Sequence, residues 1–95
     1  MTQYELTVVL SPQLDSDKLA SLVKLIEGLI TKASGKIVES IDWGEKQLAY
    51  KIKGQDSGKF RHIVMDLDAK SLSELSGKLK LTKGVLRLLL VKKER

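Results

Sequence analysis

Apolar positions in this chain recur with two spacings, and the change from one to the other predicts its elements. Residues Tyr4–Leu10 alternate between apolar and polar as a strand does, whereas apolar residues after Asp15 recur every three or four positions, as in a helix. Pro12 separates the two segments, and Ser34-Gly35 ends the helix. The helical stripe expected to be buried consists of Leu19, Leu22, Val23, Ile26, Leu29 and Ile30.

A long strand with a change of parity lies in the middle of the chain. Its apolar residues occupy odd positions from Ile37 to Trp43 and even positions from Leu48 to Ile52. Because strand side chains alternate faces with a period of two, this change requires one extra residue in the strand. Gly44 tolerates the backbone angles of a β-bulge. The pattern therefore predicts one bent strand from Lys36 to about Lys53, with a bulge at Gly44.

The second half of the chain repeats the strand and helix patterns. Gly54–Gly58 is rich in turn residues, and the chain is predicted to return as a strand over Lys59–Leu67. Ser71 and Glu74 have the spacing of a capping box, which predicts the start of a second helix. Its buried stripe is expected to be Leu72, Leu75 and Leu79. The last strand is predicted over Val85–Val91.

The element order predicts the fold. Two split β-α-β units in 95 residues indicate a single α+β domain, 1–95, with the ferredoxin-like arrangement βαββαβ. Its four-stranded antiparallel sheet would carry both helices on one face, with the first and third strands in the middle. The last strand is apolar on both parities, so the side away from the helices is expected to carry an apolar patch. Such patches mark partner or ligand surfaces.

Charge is distributed unevenly along the chain. The formal net charge is +5, but residues 1–45 carry −3 (four Lys, seven acids) and residues 46–95 carry +8 (thirteen Lys or Arg, five acids). This asymmetry favours a polyanionic partner for the second half, although lysines also simply solubilise surfaces. No secretory signal and no apolar run long enough for a membrane span are present, so the expected location is the cytoplasm.

The sequence offers no catalytic constellation. There is no cysteine, His62 is the only histidine, and the glycines form no phosphate-binding loop, so we expect no enzyme activity, no metal and no cofactor. The sequence favours nucleic-acid binding over catalysis, because lysines and arginines on strands and turns can neutralise phosphates. The residues expected to contact RNA are Lys46, Lys51, Lys53, Lys59, Arg61, Arg87, Lys92 and Lys93.

Three segments carry a family resemblance. Trp43-Gly44-Glu45-Lys46-Gln47-Leu48-Ala49-Tyr50-Lys51-Ile52, the opening Tyr4-Glu5 and the closing stretch Leu86–Lys92 together resemble the bacterial small-subunit ribosomal protein S6 family. The resemblance covers nearly the whole chain. It implies a ferredoxin-like, non-enzymatic structural protein of the ribosome. It further implies a heterodimer with ribosomal protein S18 that binds the central domain of small-subunit rRNA, with neither a membrane nor a small-molecule substrate involved.

The resemblance also bears on individual residues. Tyr4, Lys46, Tyr50 and Arg87 match family motif positions, and for these we expect RNA or interface roles. The residues expected at the protein-partner interface are Tyr4, Tyr50, Phe60, His62, Leu89 and Val91. Many family members extend beyond the last strand, whereas this sequence stops at Arg95, so a smaller partner interface is expected.

Two other functions are compatible with these residues. A small regulatory ferredoxin-like domain could use the same apolar sheet face to form a homodimer and bind a metabolite. A stand-alone binder of single-stranded RNA would need Phe60 and Tyr50 exposed side by side, so that bases could stack on both rings. Steep salt dependence of RNA binding distinguishes an RNA-binding protein from a metabolite-binding homodimer.

Overall fold

The computed structural model describes residues 2–93 of the chain. Its elements are β1 (Thr2–Leu10), α1 (Ser16–Lys32), β2 (Lys36–Ile52), β3 (Gln55–Leu67), α2 (Ala69–Leu81) and β4 (Val85–Lys92). The strands form one antiparallel sheet in the order β2-β3-β1-β4, with β1 and β3 in the middle. This arrangement confirms the predicted ferredoxin-like fold. None of the helices within residues 2–93 is long and apolar enough to cross a membrane.

The core lies between the helices and one side of the sheet, which we call the helix face. Alternate residues of β1 and β3 point into it, and Leu6, Ile63 and Met65 are completely buried there. The helices contribute Leu22, Val23, Ile26, Ile30, Leu75 and Leu79. Leu19, Leu29 and Leu72 pack around this cluster as partly buried residues. Within residues 2–93 the core contains no buried polar or charged side chain, so apolar burial is its main source of stability.

Strand β2 departs from regular pairing with β3 at three places, which are the predicted bulge, a shift near its start and a shift between Gln47 and Ile52. Its register against β3 shifts between Asp42 and Gly44, where Gly44 has a φ of 79° and its N–H donates to Asp42 Oδ1 over 2.7 Å. The expected bulge at Gly44 is thus confirmed. A further shift brackets Val38 and was not predicted. It turns Ile37 towards the helices and Ile41 towards the opposite side of the sheet.

The β2–β3 hairpin is longer than the sequence indicated. The prediction of a turn over Gly54–Gly58 was wrong, because β3 begins at Gln55 and Ile52 pairs with it directly. The chain reverses at Lys53 and Gly54, whose φ values of 50° and 81° are those of the two-residue turns favoured in hairpins. The remaining polar residues of the cluster therefore extend β3.

Helix α2 begins earlier than expected. Asp68 caps it, since its Oδ1 accepts a hydrogen bond of 3.1 Å from the Lys70 N–H. Ser71 lies inside the first turn, where its N–H donates to the Asp68 carbonyl oxygen over 2.9 Å. The prediction of a capping box at Ser71 and Glu74 was therefore wrong, because a carboxylate three residues earlier already satisfies the helix start. Glu74 instead lies 3.2 Å from Lys78 Nζ on the helix surface.

Candidate interaction surface on the open sheet face

The side of the sheet opposite the helices is uncovered, and we call it the open face. The pairing register places Thr7 of β1 between His62 of β3 and Leu89 of β4, so these three side chains lie on this side. The same alternation adds the side chains of Glu5, Val9, Ile41, Phe60, Val64, Arg87 and Val91. The open face therefore combines apolar, aromatic and charged groups, unlike the apolar helix face.

A stacked aromatic pair occupies the centre of the open face. The Trp43 and His62 rings are nearly parallel, at 5°, with their centroids 4.5 Å apart. Thr7 Oγ1 lies 3.0 Å from His62 Nδ1 in a hydrogen bond, and Glu5 Oε1 lies 3.8 Å from His62 Nε2. The bulge before Gly44 turns Trp43 onto the histidine. These contacts hold both rings in one orientation while 42% of Trp43 stays exposed.

Lys46 places a positive charge beside these rings. Its Nζ lies 5.1 Å from the Trp43 ring centroid and 5.7 Å from that of Phe60. Both distances fall within the range of a cation–π interaction. The ammonium group is thereby oriented over the open face, where it remains available to an anion.

The end of the β2–β3 hairpin bends across the open face towards β4. Arg87 Nη1 donates a 2.7 Å hydrogen bond to the Tyr50 hydroxyl, and Lys53 Nζ donates to the Val85 carbonyl oxygen over 3.4 Å. Gly58 permits this approach, because a Cβ there would collide with the Val9 side chain. The bend leaves an open, mainly apolar cavity of about 280 Å³ between hairpin and sheet. It is lined by Thr7, Val9, Leu48, Ala49, Tyr50, Ile52, Phe60, Arg87, Leu88 and Leu89.

Five of the six residues expected at a protein-partner interface lie on the open face or the hairpin above it. Tyr50 and Leu89 are 64% and 59% exposed, Val91 is also exposed, and Phe60 and His62 are partly buried. Tyr4 does not fit, because this residue is only 6% exposed and belongs to the core on the helix face. The interface expectation for Tyr4 is therefore corrected to a structural role.

Phe60 and Tyr50 do not form the exposed pair required for a single-stranded RNA binder. Tyr50 is exposed and hydrogen-bonded to Arg87, whereas Phe60 is partly buried near Lys46. Two rings in such different environments do not present a common stacking platform.

The basic residues expected to contact RNA are divided among three places. Lys46 and Arg87 lie on the open face near the hairpin, and Lys51 and Lys53 lie at the hairpin end, where Lys51 Nζ is 3.9 Å from Asp56 Oδ1. Lys92 is the last residue of β4, at the end away from the hairpin, and Lys93 follows it. At about 3.4 Å per residue, Lys92 is roughly 17 Å along the strand from Arg87.

Two of these basic residues point away from the open face. Lys59 Nζ donates to the Leu14 carbonyl oxygen over 2.6 Å, and Arg61 Nε donates to Ser40 Oγ over 3.1 Å. Both side chains lie on the helix side of β3, because their β1 partners Leu10 and Val8 are core residues. Their bonds to this chain make them structural cations at the margin of the core.

Sequence reasoning missed Trp43, Ile41 and Leu48 as parts of this surface. Trp43 and Ile41 are 42% and 38% exposed on the open side, and Leu48 lines the cavity. The signal was present in part, since the parity change showed that β2 residues change sides. The bulge at Val38 left no comparable mark in the sequence. Within residues 2–93, no grouping of acidic or histidine side chains could hold a metal ion.

Comparison with known proteins identifies relatives over almost the entire chain. The family model described as ribosomal protein S6 matches residues 3–92. Small ribosomal subunit protein bS6 of Thermoanaerobacter pseudethanolicus is 33% identical over 92 residues, covering 97% of this chain and 97% of the relative. Its counterpart in Geobacter sulfurreducens is 34% identical over 92 residues, covering 97% of this chain and 79% of the relative.

A solved structure shows the same fold. The crystal structure of 30S ribosomal protein S6 from Thermotoga maritima matches with a TM-score of 0.91 at 24% identity, covering 97% of this chain and 87% of that one. The elements, the sheet and the family match therefore agree. The chain belongs to the ribosomal protein S6 family, whose members are structural proteins of the small ribosomal subunit and not enzymes.

Proposed function

We propose that this protein binds the central domain of small-subunit rRNA as a heterodimer with ribosomal protein S18, on the ribosome in the bacterial cytoplasm. One observation carries the proposal. The open face presents exposed apolar side chains directly beside unburied cations, with Leu89 next to Arg87 and Trp43 next to Lys46. A surface of this composition suits a protein partner that shares a boundary with a polyanion.

The apolar part supports the protein partner. Tyr50, Leu89, Val91, Trp43 and Ile41 are each at least 38% exposed and lie on or above one sheet face. Scattered apolar residues on a protein surface need no explanation, but several large ones on one face usually mark an interaction site. The cavity beneath the hairpin gives this face a concave region into which a partner side chain can insert.

The charged part supports the RNA partner. Lys46, Arg87, Lys51 and Lys53 occur at the hairpin end of the sheet, and Arg87 retains further N–H donors beyond the one given to Tyr50. Arginine and lysine contacts to phosphates position a protein on RNA without reading base sequence. We therefore expect these four residues to contribute most of the salt-dependent affinity.

Assembly follows from combining the two parts. Heterodimer formation brings the basic surface of this protein next to that of S18. The combined surface binds an RNA junction that neither protein binds well alone. By linkage, S18 raises the affinity for RNA by the same factor by which RNA raises the affinity for S18.

The first test is calorimetry of this protein with purified S18, followed by binding of the mixture to a central-domain rRNA fragment over a series of salt concentrations. We expect heat with S18, much tighter RNA binding by the pair than by either protein, and affinity that falls steeply with salt. Absence of heat together with absence of a gain in RNA affinity would refute the proposal and favour a homodimer.

Variants separate the two parts of the surface. Leu89→Glu should abolish heterodimer formation, whereas Leu81→Glu, at an 88% exposed leucine on α2, should leave it unchanged. Lys46→Glu with Arg87→Glu should weaken RNA binding and reduce its salt dependence, whereas Lys24→Glu on α1 should do neither. Equal effects of Leu89→Glu and Leu81→Glu would mean that the open face is not the S18 site.

A further inference from the structure

The outer edge of β4 carries free backbone hydrogen-bonding groups. Among residues 2–93, β4 is paired only with β1. The Lys93 N–H donates to the Gln3 carbonyl oxygen over 2.9 Å. Opposed residues of antiparallel strands alternate between bonded and non-bonded pairs, so every second residue back along β4 also bonds to β1. The residues between them, Leu88, Leu90 and Lys92, direct their N–H and C=O groups away from the sheet.

Apolar side chains flank this edge on both sides. Leu88 and Leu90 point to the helix face but remain only partly buried, because the helices do not fully cover the margin of the sheet. Leu89 and Val91 point to the open face and are 59% and 42% exposed. An added strand would cover apolar surface on both sides of the sheet while satisfying the free backbone groups.

Positive charges lie at both ends of the same edge. At its beginning, Lys53, Lys80 and Arg87 surround a cavity of about 330 Å³ beside Val85 and Leu86. Lys53 Nζ also donates to the Val85 carbonyl oxygen over 3.4 Å, which marks where the free edge starts. At the other end, Lys92 and Lys93 are exposed. The edge is therefore apolar in the middle and cationic at its ends.

We propose that the free edge of β4 is a docking site for an extended peptide segment with an apolar centre and acidic ends, which adds to the sheet as a fifth strand. Its backbone pairs with Leu88 and Leu90, and its acidic ends lie near Lys80 and Lys92. This goes beyond the proposed function, which concerns the open face and RNA.

The charges and the free backbone groups of this edge favour a peptide over a second copy of the chain or an RNA strand. In a second copy paired antiparallel at this edge, the Arg87 end of one strand would meet the Lys92 end of the other, which places like charges together. An RNA strand could neutralise the cations but would leave the alternating N–H and C=O groups of Leu88 and Leu90 without a matching ladder. A peptide satisfies both features.

The test uses hydrogen exchange measured by NMR on the full chain. The probe is the peptide acetyl-Glu-Glu-Val-Thr-Val-Thr-Val-Glu-Glu-amide, and its matched control has proline in place of both threonines, which prevents ladder formation. We expect at least about tenfold slower exchange of the Leu88 and Leu90 amides with the probe. The Leu89 amide, already bonded to β1, should change little. Unchanged exchange at Leu88 and Leu90, or equal protection by the proline peptide, would overturn the proposal.

Charge variants check the ends of the site. Lys80→Glu and Lys92→Glu should each weaken the probe's affinity about fivefold, the factor expected for one exposed ion pair, and Lys24→Glu should not. Two other results would overturn the proposal: protection of the same amides by octauridine, or by self-association of the chain without peptide. Because neither S18 nor rRNA is used, failure here leaves the proposed function untouched.

Discussion

The two faces of the sheet are built from the same strands, yet they are organised for different purposes. On the helix face, Leu6 is completely buried and its β3 partner Ile63 is equally inaccessible. One residue further along β1, Thr7 contacts His62 on the open face, next to exposed Leu89. A single step along the chain thus separates a residue that stabilises the fold from residues available to another molecule.

Part of the open face is buried in the way that the helix face is. Val9 belongs to the open face but is only 7% exposed, because Gly58 of the hairpin approaches it closely. The open face therefore has a structural end, beneath the hairpin, and an accessible end, around Leu89 and Val91. Four sets of variants test the open face and the layers around it, ordered by the size of the expected change in unfolding free energy.

The largest contrast compares two leucines. Leu6→Ala removes a completely buried side chain from the core and should lower the unfolding free energy by about 2–5 kcal/mol. Leu89→Ala, at a 59% exposed site, should change it by no more than about 0.5 kcal/mol. Urea unfolding of both variants measures the difference. Similar losses at both sites would show that the open face contributes to the core as the helix face does.

The next substitution addresses the structural end of the open face. Gly58→Ala places a methyl group against Val9 and should destabilise the fold by about 1–3 kcal/mol, the usual cost of overpacking. Gly77→Ala is the control, since a Cβ at this exposed position in α2 meets no atom within 4 Å. It should stabilise the fold by about 0.5–1 kcal/mol through helix propensity. Thermal unfolding of a Gly58→Ala variant as stable as the parent would contradict the close approach of hairpin and sheet.

A third pair of variants concerns the helix layer. Asp68→Ala removes the side chain that caps α2 and should cost about 1 kcal/mol, whereas Ser71→Ala should change stability by less than about 0.5 kcal/mol. Chemical denaturation distinguishes them. A larger effect at Ser71 would restore the capping box that the sequence suggested.

The smallest change in stability should come from the hairpin end. Tyr50→Phe removes only the hydroxyl that accepts from Arg87, and because this bond is exposed the loss should be about 0.5 kcal/mol or less. The same variant should nevertheless weaken S18 binding if the bond holds the hairpin in place over the cavity. Calorimetry with S18 and urea unfolding of one preparation compare the two effects. A loss of stability without a loss of S18 affinity would place Tyr50 with the core residues.

Much of the fold could be predicted because the helix face follows a strict period. The alternation in β1 and the three-and-four spacing in α1 both identify residues that the structure buries, including Leu22 and Ile26. The bulge at Gly44 was also predictable, because the parity of apolar residues changes across it. The strand order followed from the element order.

The surface was less predictable because its residues follow no period. The bulge at Val38 leaves the parity of the apolar residues unchanged, so the sequence did not show that Ile41 faces the open side of the sheet. Basic residues cluster in sequence, but their positions along each strand divide them between the two faces, and Lys59 and Arg61 both lie on the helix side. Tyr4 is a motif position that proved to be in the core, since a motif does not distinguish a residue kept for packing from one kept for contact.

The central position of β1 has a consequence for how the protein is made. Thr2 pairs with Leu67, and Tyr4 pairs with Lys92, so both neighbours of β1 are synthesised after it, β3 from the middle of this sequence and β4 from near its end. At about 5–20 residues per second, roughly 4–16 s separate the synthesis of β1 from that of β4. During that interval β1 can pair with β3 but not with β4, so one edge of β1 stays unpaired. The sheet of this ribosomal protein is therefore completed only when β4, the last of its strands to be synthesised, pairs with β1.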